Sequence, residues 1–131
     1  MNAEIPPDAP SPHYSITARQ SIVETPEVRV TLMTLAPGEA TPWHRHTKVT
    51  DTAFRLDGEV EVQAEMPPNA QAKGQAEDQT DGPVERIRLM PGVPCRMEPG
   101  RVHRVANAGS GPCRFLLVQG VGAYDFVKAR T

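Results

Sequence analysis

The sequence predicts an all-β fold of the antiparallel sandwich or barrel type, and three observations carry that expectation. Short apolar runs recur roughly every ten residues, with turn-forming residues between them. Several of these runs alternate polar and apolar residues with period two, the pattern of a half-buried strand. Fourteen prolines and ten glycines, set against little helical patterning, favour many turns and short strands.

Taken in order, residues 1–12 are Pro-rich with few large apolar groups and read as a mobile arm. One domain then occupies residues 13–131, since 131 residues suffice for one conventional domain and not for two. Val28-Arg29-Val30-Thr31-Leu32 alternates and is rich in β-branched residues, and Ala36-Pro37-Gly38 ends that run. Thr52 to Leu56 leads into Asp57-Gly58, a tight-turn signal, and Glu59-Val60-Glu61-Val62-Gln63 alternates again beyond it. Residues 66–83 break the pattern: Met66-Pro67-Pro68-Asn69 opens a polar stretch without an apolar stripe, and Asp81-Gly82-Pro83 closes it. This segment reads as an exposed insertion, either a tolerated surface loop or a lid over a substrate. Strand signals resume at 84–90, 95–97, 103–106 and 113–119.

Charge and composition exclude several function classes. A net charge of −2 with dispersed Lys and Arg gives no electrostatic case for nucleic acid or an anionic membrane surface. No apolar stretch approaches the roughly 18 residues of a membrane-spanning helix. The opening residues have neither a basic region nor an apolar one, so a cytoplasmic location is expected. Cys95 and Cys113 are expected to be reduced, inert, buried thiols, although paired strands would allow them to approach one another.

Chemistry concentrates in the histidines. Residues i and i+2 of a strand share a face, so His44 and His46 project together, about 7 Å apart at their Cα atoms, with Arg45 pointing away. Such a pair can converge on one cation. Taken alone it equally describes two surface or core histidines, and a metal-free protein whose histidines only hydrogen-bond is a further reading. A third histidine, His103, and a nearby carboxylate, Asp51, complete a candidate set.

The spacing of that set resembles the cupin family. A first cupin motif, G-x5-H-x-H-x(3–4)-E-x6-G, is matched by Gly38, His44, His46, Asp51 and Gly58, with aspartate in place of glutamate. A second, G-x5-P-x-G-x2-H-x3-N, is matched by Gly92, Gly100, His103 and Asn107, with Glu98 where the first proline is expected. The resemblance implies a small double-stranded β-helix, a jelly-roll barrel, over roughly residues 15–127. It also implies one divalent transition metal, Fe, Mn, Ni or Zn, held by His44, His46, His103 and Asp51. Aspartate is shorter than glutamate by about 1.5 Å, so Asp51 either ligates directly or acts through water or as a partner of the ligands. The implied activity is that of a metalloenzyme on a small anionic organic substrate, with a lean toward a dioxygenase and with isomerase or decarboxylase chemistry open. The alternative is a non-catalytic cupin that binds or senses a small ligand. Similar small cupins form homodimers, which is a further expectation.

Alternation from Asp51 turns Ala53 and Arg55 inward. Arg55 then either binds a substrate anion or pairs with Asp57, Glu59 or another acid at the rim. Arg101 and Arg104 are expected at the surface or an interface, Trp43 on the face opposite His44, and Tyr124 and Phe126 in packing roles. His13, in the arm, is expected to be solvated.

Overall fold

The computed structural model describes residues 17–66 and 83–129. The arm at 1–12, His13 and all but the ends of the insertion at 66–83 lie outside the described residues.

Ten strands account for the regular structure of the described residues: β1 (Ala18–Glu24), β2 (Val28–Leu35), β3 (His44–Arg45), β4 (Thr50–Asp57), β5 (Val60–Glu65), β6 (Val84–Arg88), β7 (Cys95–Met97), β8 (His103–Asn107), β9 (Cys113–Gly120) and β10 (Val127–Lys128). They form two five-stranded antiparallel sheets, ordered β1-β2-β9-β4-β7 and β10-β3-β8-β5-β6. Only β1–β2 and β5–β6 join neighbours in one sheet; every other connection crosses to the opposite sheet. This back-and-forth winding is the double-stranded β-helix. No helix among the described residues is long and apolar enough to cross a membrane.

Period-two alternation builds the interface between the sheets. In β9, Cys113, Phe115, Leu117 and Gln119 are buried, while the intervening residues are exposed or half-buried. Met33, Leu35, Ala53, Phe115 and Leu117 of the first sheet meet Val60, Val62, Ala64 and Val105 of the second. The sides of β2 differ from a simple reading of its pattern. Thr31, Met33 and Leu35 are the buried side, and Val28, Val30 and Leu32 are only half-buried on the other. Apolar residues lie on both faces of this strand, so hydrophobicity alone does not choose the inner one.

Turn chemistry fixes the ends of the strands. Gly58 links β4 to β5 with φ +76°, and a Cβ there would lie 2.4 Å from the Pro112 carbonyl oxygen. Only glycine accommodates both the left-handed backbone and that approach. Asn107 ends β8 as a staple: its amide nitrogen donates to the Leu35 and Gly111 carbonyls, and its side-chain oxygen accepts from the Gly109 N–H.

The two cysteines do not sit on paired strands. Cys95 of β7 lies beside Ala53 of β4, and Cys113 of β9 beside Leu35 of β2, with β4 between β7 and β9. Both are free thiols.

Candidate metal centre

The two sheets bring the four candidate ligands together. His44 and His103 are cross-strand partners in the second sheet, and His46 follows directly on β3. Asp51 faces them from β4 of the first sheet. All four are buried, and one ligand atom from each lies within 4.8 Å of every other. Atoms bound at about 2.1 Å to one ion lie within about 4.2 Å of one another, so only a small inward adjustment separates this cluster from a coordination shell.

Each imidazole is oriented by its backbone surroundings. Nδ1 of His44 donates to the Pro42 carbonyl at 2.6 Å, Nδ1 of His46 to the Asp125 carbonyl at 2.6 Å, and Nδ1 of His103 to the Arg101 carbonyl at 2.8 Å. A carbonyl can only accept, so the Nδ1 proton is fixed in all three rings and Nε2 is turned inward. Asp51 Oδ2 stands 3.1 Å from His46 Nε2 and 2.9 Å from His103 Nε2. Asp51 Oδ1 is buried without any hydrogen-bond partner.

Burial and charge pull these groups apart in proton affinity. Burial, assisted by the neighbouring His103, pushes His44 down to about 4, which keeps it a neutral ring with an available lone pair. Burial also opposes charge on His46, but the hydrogen bond and charge of Asp51, with Asp125 behind, outweigh it and raise its pKa. Burial would raise Asp51, yet the hydrogen bonds from His103 and His46 hold its carboxyl well below the usual range.

The C-terminal segment closes the cluster. Phe126 stacks on His44 with centroids 4.7 Å apart and planes at 14°, and Tyr124 packs against His46 at 5.2 Å. Asp125 accepts from the Thr47 N–H and hydroxyl, which ties this segment to the loop after β3. Tyr124 and Phe126 are therefore walls of the site rather than general packing residues. Gln119 was also not singled out by sequence; it is buried, with its amide nitrogen 3.5 Å from His46 Nε2. The inward parity of Cys113, Phe115 and Leu117 places residue 119 on this face, and a polar side chain there was the available signal. No local pattern pointed to Tyr124 or Phe126, which reach the site through the tertiary fold.

Beneath Asp51 and His103 lies a small recess, lined otherwise by apolar and sulfur-bearing residues such as Ala53, Val62, Leu117 and Met97. Cys95 also faces it, and burial raises its thiol above the ordinary value. Arg55 does not line this recess; it is half-buried and donates to the Leu89 carbonyl at 3.2 Å. The acids expected to hold it are engaged elsewhere, Asp57 by Arg114 and Glu59 by Arg88. Arg101 bonds Glu85 and the Glu65 carbonyl, and Arg104 bonds Gln63 while lying 5.0 Å above the Trp43 ring. Trp43 itself is buried.

Comparison with known proteins agrees with this arrangement. The family model described as Cupin domain matches residues 31–119. A conserved protein with a double-stranded β-helix domain from Klebsiella pneumoniae subsp. pneumoniae MGH 78578 is similar in structure, with a TM-score of 0.66 at 24% identity over 94% of this chain and 92% of that one. TT1209 from Thermus thermophilus superposes with a TM-score of 0.63 at 22% identity, covering 82% of this chain and 85% of the other. An oxalate oxidase reaches a TM-score of 0.68 at 16% identity, and the match takes in 92% of this chain but 58% of the enzyme. These likenesses concern the fold. No match is found among curated proteins. With a family match across most of its strands and both histidine segments in place, the chain belongs to the cupin domain family.

Proposed function

We propose that this cupin is a metalloenzyme that holds one divalent transition metal on His44, His46, His103 and Asp51 and acts on a small anionic organic molecule. The observation that carries the reading is the hydrogen-bond account of the cluster. All three Nδ1 atoms are spent on carbonyls, so hydrogen bonds from His46 and His103 to Asp51 require a second proton on each ring, and two buried imidazoliums. A single cation at the centre satisfies the same groups without those protons. It also gives the orphaned Asp51 Oδ1 a partner. Three imidazoles and a carboxylate suit Fe, Mn, Ni or Zn.

Such a metal would supply Lewis acidity toward a bound oxygen and, if redox-active, a route for dioxygen. The chain's own residues would do the rest. The carbonyls of Pro42, Asp125 and Arg101 hold the rings in one tautomer and one direction. Phe126 and Tyr124 exclude water from the outer side of His44 and His46. The Tyr124 phenol, raised by burial, stays protonated at neutral pH. Structural neighbours include an oxalate oxidase and an oxalate decarboxylase, which favours a small carboxylate and an oxidative or decarboxylating reaction. Homodimerisation and a cytoplasmic location are parts of the same proposal.

Elemental analysis of purified protein, with chelator-treated and His44→Ala controls, tests the metal. One equivalent in the wild type, lost in both controls, is expected. Dioxygen consumption and carbon dioxide release with a panel of small carboxylates then test the reaction class. Metal binding without turnover on any of them would assign the chain to the non-catalytic cupins.

A further inference from the structure

The register of the first sheet lays a row of side chains across one end of the molecule. Arg29 of β2 lies opposite Gln119 of β9, and Gln119 lies opposite Asp51 of β4. Directly opposed residues on antiparallel strands share a face, so Arg29 stands on the face that carries Gln119 and Asp51. Side-chain contacts agree. The Gln119 amide nitrogen is 3.5 Å from His46 Nε2. The Arg29 guanidinium carbon is 3.8 Å from the centroid of the Tyr124 ring, and that ring is 5.2 Å from the His46 ring. One aromatic ring therefore separates a permanently charged group from the candidate metal centre.

Arg29 is half-buried. Glu24 of β1 stands opposite it in register, but among the described residues no carboxylate comes within ion-pair distance of its guanidinium. Asp51 is engaged by His46 and His103, Asp57 by Arg114, Glu59 by Arg88, and Glu61 by Arg86. The guanidinium lies over the Tyr124 ring and also hydrogen-bonds the Tyr124 hydroxyl. Five N–H donors in a planar fork exceed what that one hydroxyl takes up, and the rest match a carboxylate. Arg55, in contrast, sits four residues along β4 from Asp51 and is bonded to a backbone carbonyl.

We propose that Arg29, with the Gln119 amide beside it, is the anion-binding residue of this site. It takes the carboxylate of a small organic acid whose second oxygen-bearing group faces His44, His46, Asp51 and His103. The inference rests on the metal-centre reading for the second group and on Arg29 alone for the first. It names the substrate class as a short-chain acid with two oxygen-bearing ends, too short to fold back and too polar for the apolar recess.

The test is calorimetric titration of the metal-loaded protein with malonate, succinate and glutarate, and with their uncharged diamides. Metal content and melting temperature are measured on every sample. Wild type is expected to bind at least one of the dicarboxylates and not its diamide. Arg29→Gln is expected to weaken that binding by about ten- to a hundredfold, the worth of a charge-assisted hydrogen bond, while keeping its metal and its melting temperature. Arg29→Met replaces it if Arg29→Gln does not fold, and Arg29→Lys should recover part of the affinity as a point charge. Unchanged dicarboxylate affinity in a folded, charge-free variant would overturn the inference, as would metal-loaded wild type that binds none of the three. A chain that never takes up metal defeats the metal-centre reading separately. Dicarboxylate binding that still depends on Arg29 would then sustain the anion site by itself, and its absence would remove both.

Discussion

Replacing Asp51 by asparagine preserves shape and removes the charge that holds two imidazoles. In the metal-free protein, Asp51 Oδ2 accepts from both His46 and His103 at 3.1 and 2.9 Å, in a fully desolvated setting. Two charge-assisted bonds of about 1.5–3 kcal/mol each set an upper figure. His46 can shed its proton in response, which holds the loss near the lower end, about 3 kcal/mol at pH 6. The loss depends on pH in a direction fixed by the two shifts. His46 is raised, so its contribution is complete below its unfolded pKa near 6.5 and fades as pH rises through the folded value. Asp51 is lowered, so its contribution is complete above about 4 and fades only as pH falls through the folded value. The penalty of Asp51→Asn is therefore greatest between roughly pH 4 and 6.5 and shrinks toward pH 9. Urea unfolding of chelator-treated wild type and variant across that range measures it. A variant within 1 kcal/mol of wild type at pH 6, or a penalty that does not change with pH, would refute the account of charge in the cluster (a threshold below the weakest single bond invoked).

Other outcomes follow from the same structure. Adding metal to the chelated wild type should raise its stability by about 2.7 kcal/mol at a hundredfold excess over Kd, seen as a rise in melting temperature, and His103→Ala should abolish that rise. Gly58→Ala should cost about 1–3 kcal/mol from its left-handed backbone, with the approach to the Pro112 carbonyl adding to it, measured by urea unfolding. Phe115→Ala, at a fully buried position of the core, should lose about 3–5 kcal/mol while metal stoichiometry in the folded fraction stays at one. Asp57→Asn removes a half-exposed pair with Arg114, so it should cost at most about 0.5 kcal/mol at pH 7 and progressively less below pH 4, where the wild-type carboxylate also protonates.

Much of this was legible in the chain because strand alternation is a local signal. The runs at 28–32, 52–56, 95–97, 103–106 and 113–119 fall on observed strands, and the run at 59–63 overlaps β5, which starts at Val60. Two strands escaped for physical reasons. β1 carries a register shift between Ser21 and Val23 that breaks its period, and β10 spans two residues. His44, His46, Asp51 and His103 were legible as a set through motif spacing, and the fold places their ligand atoms together. Tyr124 and Phe126 were not, because nothing near them in sequence distinguishes a ring that packs on an imidazole from one that packs in a core. Arg29 lay inside a recognised strand, but the apolar residues around it pointed to the other face as the inner one. Parity becomes readable only once Gln119 and Asp51 are seen beside it.

The crossing of nearly every connection between the two sheets bears on how the molecule assembles. Hairpins such as β1–β2 can form early, but β2 must find β9 across most of the chain and β4 must find β9 across about half of it. Loop closure of that length precedes any reward from pairing, which places folding in the slow range of all-β domains, milliseconds to seconds. His44 and His103 likewise meet only when β3 finds β8, and Asp51 is set opposite them by the pairing of β4 with β9. A cation therefore has no place to bind in the early chain; it would slow unfolding far more than it speeds folding.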